Sequence, residues 1–147
     1  MSVPLHRVAI VGAATLKGRE LKDVLAGSQF PVEDVRLLDD DESLGQLDAM
    51  GDEVTFVQSV RAEQFEHVDL TFFASEAEFT RRHAGLARKA GSAIVDLSSA
   101  LEEEAPVRAP RVEMELAAAA AKKPHGTAAP TIMVAAHPSM IWKPSER

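Results

Sequence analysis

The sequence predicts an α/β fold, a doubly wound and mostly parallel sheet in a single domain spanning residues 1–147. Strand-like and helix-like patterns alternate along most of the chain, which is typical of crossover units. Strands such as AIVDL at residues 93–97 are almost continuously apolar, as in a sheet covered on both faces. The first strand also runs into glycine just before a helical pattern, in VAIVGAATLKG at residues 8–18.

The first three elements are a strand, a turn and a helix. Leu5–Val11 is predicted as a strand because its apolar run is interrupted only by a histidine and an arginine. Leu16–Ala26 is predicted as a helix, since apolar residues recur there at helical spacing and Gly27 follows as a stop signal. We expect Val8–Val11 to lie at the centre of the sheet.

Five more strands and two more helices are predicted. The strands are Val35–Leu38, Glu53–Val57, Val68–Phe73, Ala93–Leu97 and Thr131–Ala135. Glu76–Ala90 has an apolar side made mainly of alanine, with Gly91 as its C-cap. Val112–Lys123 is alanine-rich, with acids early and lysines late, as the helix dipole favours.

Composition excludes several classes of function. The 147 residues carry a net charge of −7 and a pI near 5.2, which argues against binding to nucleic acid. With no cysteine, the chain has no disulfide, zinc-thiolate site or cysteine nucleophile. No apolar stretch resembles a signal peptide or a membrane span, so we expect a soluble, cytoplasmic protein that does not bind membranes.

Ligands of parallel sheets bind beyond the carboxyl ends of the strands. The predicted ends are Gly12, Asp39, Ala74–Glu76, Ser98–Ser99 and Ala136–His137. Any chemistry is therefore expected in this set of loops.

Several stretches near these ends share one resemblance. They are GAATLKGRE at Gly12–Glu20, FPV at residues 30–32 followed by VRLL at residues 35–38, and DLSSA at Asp96–Ala100. In this order and spacing, the chain from about Val8 to Ile141 resembles the N-terminal cofactor-binding half of the aspartate-semialdehyde dehydrogenase family. The resemblance implies a Rossmann-like fold in an oxidoreductase family that makes an aldehyde from an acyl phosphate with a nicotinamide cofactor.

The resemblance implies a set of cofactor contacts at the strand ends. They are Gly12, Ala13, Thr15, Leu16, Gly18, Asp39, Ser75 and Ser98. The family's turn has three glycines, and Thr15 stands in place of the middle one. A β-branched side chain there takes up space beside a pyrophosphate, so Thr15 is either an N-cap of the helix or part of a phosphate site at the helix N-terminus.

An acidic run, Asp39–Ser43, follows the second strand. Relatives that use NADP have a serine and an arginine here for the 2′-phosphate, at the positions of Asp40 and Glu42. Carboxylates repel a phosphate, whereas Asp39, 21 residues after Gly18, suits the ribose hydroxyls of NAD. The run predicts either a preference for NAD over NADP or merely a solvated acidic turn.

The catalytic residues of the family do not carry over. Glu102 stands where the family has its substrate-binding arginine, and Pro138 stands where it has the catalytic cysteine. The family's second domain, with its histidine, would follow the point at which the sequence stops. We therefore expect a non-catalytic NAD-binding domain or the N-terminal piece of a longer protein; the alternative is a structural or interaction domain that kept the fold and lost the cofactor.

Other features offer alternatives. A hydrolytic triad of Asp96, Ser98 or Ser99 and His137 lacks the usual nucleophile elbow, and the histidines show no metal-ligand spacing. Arg81–His83 begins a basic helix face that either meets a phosphate or is only solvated.

Apolar residues near the last strand predict a homodimer, unless Trp142 folds back onto its own domain. They are Ile132, Met133, Met140, Ile141 and Trp142.

Overall fold

The computed structural model describes residues 3–50, 53–105, 107–108 and 132–135. The strands are β1 His6–Val11, β2 Val32–Asp39, β3 Leu47–Met50, β4 Glu53–Ser59, β5 Leu70–Phe73, β6 Ala93–Asp96, β7 Val107–Arg108 and β8 Ile132–Ala135. The helices are α1 Leu16–Gly27 and α2 Ala77–Lys89, with short 3-10 turns at Asp41–Ser43 and Ala62–Phe65.

All of these strands belong to one sheet, in the order β3-β4-β2-β1-β5-β6-β8-β7. Every neighbouring pair is parallel except β3 and β4, so the predicted mostly parallel sheet is confirmed. β1 lies between β2 and β5, which confirms the central position of Val8–Val11. The strands β2 to β4 lie on one side of β1 and the strands β5 to β8 on the other, so the strand order reverses between β1 and β5.

Each face of the sheet packs on a different helix. Along β1, Val8 and Ile10 belong to the apolar cluster that contains Leu25 of α1. Ala9 and Val11 belong to the cluster that contains Ala84 and Ala87 of α2. Because successive side chains of a strand point to opposite faces, one apolar run supplies both layers of the core. The sheet is therefore doubly wound, as predicted.

Local signals set the helix ends close to their predicted positions. α1 continues through Gly27, and the Ser28 N–H and hydroxyl both donate to the Leu25 carbonyl, at 3.2 and 2.9 Å. The stop therefore falls one residue later than predicted. In α2, Gly91 follows the helix with a φ of 80° and donates its N–H to the Arg88 carbonyl, as expected of a C-terminal glycine.

The main addition to the prediction is β3, which pairs antiparallel with β4 at the edge of the sheet. The described residues between β2 and β4 form this strand and a 3-10 turn, and β2 begins at Val32, three residues before its predicted start. No helix in the described part of the chain is long and apolar enough to cross a membrane. The predicted helix Val112–Lys123 and residues 136–147, including Pro138 and Trp142, lie outside the described residues.

Candidate functional site

Gly12 ends β1 and turns the chain toward α1 with a φ of 83°, in the left-handed region that favours glycine. A Cβ on Gly12 would lie 2.6 Å from the Ser75 nitrogen and 2.9 Å from the Ala74 carbonyl carbon. The β1–α1 turn, residues 12–18, therefore packs directly on the backbone of the turn after β5.

Gly18 is required for a different reason. A Cβ at this position would lie 2.1 Å from the Gly12 carbonyl oxygen and 2.9 Å from the Ala13 Cα. The first turn of α1 thus lies against the end of β1, with no room for a side chain between them. Both outer glycines of the motif serve close packing of backbone on backbone.

Thr15 is the N-cap of α1, as one of the two sequence interpretations predicts. Its hydroxyl accepts the Gly18 N–H at 3.0 Å and donates to the carbonyls of Gly12, at 2.7 Å, and Ala74, at 3.0 Å. With φ at −69° and ψ at 161°, its backbone is extended, so glycine is not needed there. The threonine fastens the turn to the strand ends on both sides.

Most N–H groups of the β1–α1 turn already have acceptors. Those of Gly12 and Ala13 donate to the Leu38 carbonyl, and that of Ala14 donates to Asp39 Oδ2 at 2.7 Å. Within the described turn, the N–H groups of Leu16 and Lys17 have no protein acceptor, and both residues are exposed. They leave two donors at the positive end of α1, where an anion is favoured.

Asp39 is buried at the end of β2, beside the β1–α1 turn. Its Oδ2 accepts the Ala14 N–H, and its Oδ1 accepts the Asp40 N–H at 2.9 Å. The carboxylate is oriented by two backbone donors, and each oxygen keeps acceptor capacity for a further donor. One acid thus ties β2 to the turn and presents oxygen atoms at the strand end.

A cleft of about 220 Å³ opens beside Asp39, between the end of the sheet and α2. It is lined by Asp39, Asp40, Asp41, Ser59, Val60, Phe79, Arg82 and His83. On the sheet side, Asp40 accepts the Ser43 N–H at 3.0 Å and Asp41 accepts the Ser59 hydroxyl, so both acids are also held in place.

The opposite wall of the cleft is aromatic and basic. The rings of Phe79 and His83 lie 4.2 Å apart between centroids at an angle of 40°, and His83 Nδ1 is 2.9 Å from the Phe79 carbonyl oxygen. Arg82 lies 3.6 Å from Glu78 in an exposed i, i+4 pair. The cleft therefore has two aromatic side chains on one side and carboxylates on the other.

Ser75 and Ser98 join through a third hydroxyl, that of Thr80 on α2. Thr80 Oγ1 is 2.9 Å from Ser75 Oγ and 3.0 Å from Ser98 Oγ. The Ser98 hydroxyl and N–H also donate to Asp96 Oδ1, at 2.5 and 2.7 Å. The two serines predicted as cofactor contacts are thus members of a polar network that links the loops after β5 and β6.

The structure gathers most of the predicted residues into one place. The β1–α1 turn contains Gly12, Ala13, Thr15, Leu16 and Gly18, and Asp39 lies beside it. Ser75 packs against Gly12, and Ser98 is linked to Ser75 through Thr80. Ala13 is buried, whereas the Leu16 side chain is 76% exposed.

Sequence reasoning did not include Phe79, Arg82 and His83 among the site residues. Arg82 and His83 belong to the basic face for which a phosphate contact and simple solvation were both open, and they now line the cleft. The i, i+4 spacing of Phe79 and His83 was the available signal.

The described residues give little support to a hydrolytic triad or a metal site. Asp96 accepts backbone N–H groups from Ser98 and Leu101, so it orders its own loop, and His137 lies outside the described residues. In the described part of the chain, no three His, Asp or Glu residues are grouped as metal ligands would be. Glu102 is exposed in the loop after β6.

Comparison with known proteins supports one family. The sequence profile of the NAD-binding domain of semialdehyde dehydrogenases matches residues 7–123. A USG-1 protein homolog of Pseudomonas aeruginosa is 42% identical over 102 residues, which are 69% of this chain and 30% of that protein. The chain spans about a third of the length of the curated relatives it matches.

Solved structures share the fold. A probable aspartate-semialdehyde dehydrogenase from Pseudomonas aeruginosa superposes with a TM-score of 0.76 at 35% identity, over 90% of this chain and 38% of that one. An aspartate-semialdehyde dehydrogenase with NADP from Candida albicans has a TM-score of 0.65 at 17% identity, over 89% of this chain and 42% of that one. The second likeness concerns the fold alone.

The packing of the turn predicts opposite outcomes for two glycines of α1. Gly18→Ala should destabilise the protein by about 2–4 kcal/mol, because its methyl group overlaps backbone atoms that cannot move separately. The matched control is Gly27→Ala, where no atom lies within 4 Å, and it should be neutral or slightly stabilising. Urea unfolding monitored by circular dichroism compares the two; equal stability of both variants would contradict this account of the turn.

Proposed function

Because the chain belongs to the semialdehyde dehydrogenase family through its NAD-binding domain, we propose that it binds a nicotinamide dinucleotide at the carboxyl ends of β1, β2 and β5 and is itself non-catalytic. The observation that carries the proposal is the β1–α1 turn. Its two glycines pack without room for a Cβ, and it opens two N–H groups at the start of α1 beside the oriented carboxylate of Asp39.

The pyrophosphate is assigned to the N-terminus of α1. There the N–H groups of Leu16 and Lys17 and the helix dipole favour negative charge, and the ammonium group of Lys17 lies on the same turn. Thr15 takes the Gly18 N–H for its own cap, which removes one donor from the turn. Binding is therefore expected to be weaker than in a turn whose donors all face the ligand.

The adenosine half is assigned to the cleft beside Asp39. The rings of Phe79 and His83 offer flat surfaces to the base, and the Asp39–Asp41 carboxylates offer acceptors to the ribose hydroxyls. The nucleotide half then lies on the β2 side of β1, and the nicotinamide half lies across the reversal of strand order, on the side of β5 and β6.

NAD should bind more tightly than NADP. The 2′-phosphate of NADP would face three carboxylates in the cleft, and a difference of about 1–2 kcal/mol, or roughly tenfold or more, is expected. Calorimetric titration with both dinucleotides measures it. Tighter binding of NADP than of NAD would contradict the assignment of the acidic wall.

Two neutralising substitutions test the acidic wall directly. The double variant Asp40→Asn and Asp41→Asn keeps hydrogen-bond acceptors at both positions and should reduce the difference in affinity between NAD and NADP. The control is Asp23→Asn. Asp23 is an exposed acid on α1 that does not line the cleft, so its neutralisation should leave the difference in affinity unchanged.

The second candidate is an interaction domain that kept the fold and lost the cofactor. The observation in its favour is the Thr15 cap, which uses its hydroxyl and the Gly18 N–H entirely inside the protein. The same titration separates the two candidates, because absence of heat and of ligand-observed NMR signals with either dinucleotide would leave only this one.

We propose that the 147-residue chain does not turn over aspartate semialdehyde. Glu102 has the wrong charge to hold an anionic substrate group, and Pro138 has no nucleophile. Pro138→Cys should not restore activity, since the arginine is still missing and a thiol needs a base. Dehydrogenase assays by cofactor absorbance test both chains beside an active family member, and measurable turnover by the wild type would refute the proposal.

The expected cellular location and metabolic role rest on membership of the family alone. We propose a cytoplasmic protein connected with amino-acid biosynthesis; cell fractionation with an antibody against the chain tests the location, and nutritional growth tests of a deletion strain test the connection.

A homodimer stays part of the proposal. Ile132 and Met133 lie in β8, which pairs with β6 on one side and β7 on the other; Met140, Ile141 and Trp142 lie outside the described residues. Light scattering at tens of micromolar should find a dimer that Trp142→Ala dissociates. Phe56→Ala is the control, because Phe56 is 56% exposed on β4, which lies on the opposite side of β1 from β8; a monomeric wild type would refute the dimer.

A further inference from the structure

Four polar side chains form a continuous network between α2 and the loops after β5 and β6. Asp96 and Thr80 are completely buried, and Ser75 is 3% exposed. Asp96 accepts the Ser98 hydroxyl and N–H and the Leu101 N–H, so the loop after β6 is wrapped around one carboxylate. The Thr80 hydroxyl then joins Ser98 to Ser75 at 3.0 and 2.9 Å.

The network continues to the β1–α1 turn through the backbone of the turn after β5. Gly12 packs on the Ser75 nitrogen, and the Thr15 hydroxyl donates to the carbonyl of Ala74, the residue before Ser75. Lys17 on α1 reaches the Leu97 carbonyl at 3.4 Å, at the beginning of the loop after β6. These contacts therefore link the β1–α1 turn both to the loop after β5 and to the loop after β6.

From these contacts we infer that Thr80 is a positioning residue for the dinucleotide, which holds the loops after β5 and β6 in register with the β1–α1 turn. The inference rests on the proposed dinucleotide binding. Thr80 is completely buried and acts through Ser75 and Ser98, which lie on the side of the strand reversal assigned to the nicotinamide half.

The physical reason is that Ser75 has no substitute partner. Removal of the Thr80 hydroxyl leaves the buried Ser75 hydroxyl without a hydrogen bond, which is costly, and breaks its link to Ser98, whose hydroxyl keeps its bonds to Asp96 and Ala100. Ser75 can recover a hydrogen bond only by moving toward water, which separates the loop after β5 from the turn. The cleft at the end of β2 does not depend on Thr80 in this way, because Asp39, Asp40 and Asp41 have their own partners.

The test compares binding of NAD with binding of AMP in the 147-residue chain by calorimetry. Thr80→Val keeps the shape and removes the hydroxyl, and it should weaken NAD about tenfold while AMP affinity is unchanged. Thr80→Ser restores the hydroxyl and should restore NAD binding. Should the valine variant not fold, Thr80→Ala, which relieves any crowding, takes its place.

The matched control is Thr71→Val. Thr71 and Ser92 form a buried hydroxyl pair at 2.7 Å on β5 and just before β6, at the opposite end of these strands. This variant should lose similar thermal stability yet keep the wild-type ratio of NAD to AMP affinity.

The possible results separate the two claims. If the wild type binds NAD and Thr80→Val leaves the ratio of NAD to AMP affinity unchanged, the role of Thr80 is overturned and the proposed function stands. The same holds if Thr71→Val changes this ratio as much as Thr80→Val does. A wild type that binds neither NAD nor AMP overturns both. Loss of NAD binding in Thr80→Val alone, with recovery in Thr80→Ser, supports the positioning role.

Discussion

The structure depends on one close contact, that of the β1–α1 turn with the ends of β1 and β5. Gly12 and Gly18 have no side chains, so the backbone of the turn lies directly on Ser75 and on the Gly12 carbonyl. This contact sets the position of the α1 N-terminus at the reversal of strand order, and Asp39 and Thr15 then fasten the same turn from either side. Any ligand site at this edge inherits its geometry from a contact in which a single methyl group does not fit.

Charge is distributed unevenly around that contact. The end of β2 carries three neighbouring carboxylates, each oriented by a hydrogen bond, while α2 brings Arg82 and a pair of aromatic rings to the other wall. The start of α1 adds N–H groups and Lys17. The proposed binding of a dinucleotide rests on this combination of carboxylates, aromatic rings and anion-binding donors at one sheet edge. Glu102 and Pro138 support the proposed loss of the family's chemistry, whereas the Thr15 cap supports the second candidate, in which the cofactor is lost as well.

Buried polar groups hold both ends of the β5–β6 region. In the part of the chain that the structure describes, no buried side-chain nitrogen or oxygen lacks a hydrogen-bond partner. Thr71 with Ser92 joins the strands where they begin, and the network from Asp96 to Ser75 joins them where they end. Because such groups have few alternative partners in a packed interior, they favour one arrangement of the loops. The apolar layers stabilise the sheet, and the hydroxyls determine how its functional edge is arranged.

The sequence by itself determined the parallel sheet, the central place of β1 and both described helices, and it offered the cap at Thr15 as one of two interpretations, because apolar periodicity and capping are local properties of the chain. It did not reveal β3, since a short edge strand depends on its pairing with β4. Only the tertiary structure decided that Asp39 orients Ala14, that Thr80 joins Ser75 to Ser98, and that Phe79 and His83 face the acidic turn. Gly18 and Gly27 both lie in α1, yet only Gly18 meets other backbone atoms, those of Gly12 and Ala13, and this close approach is set by the three-dimensional path of the turn.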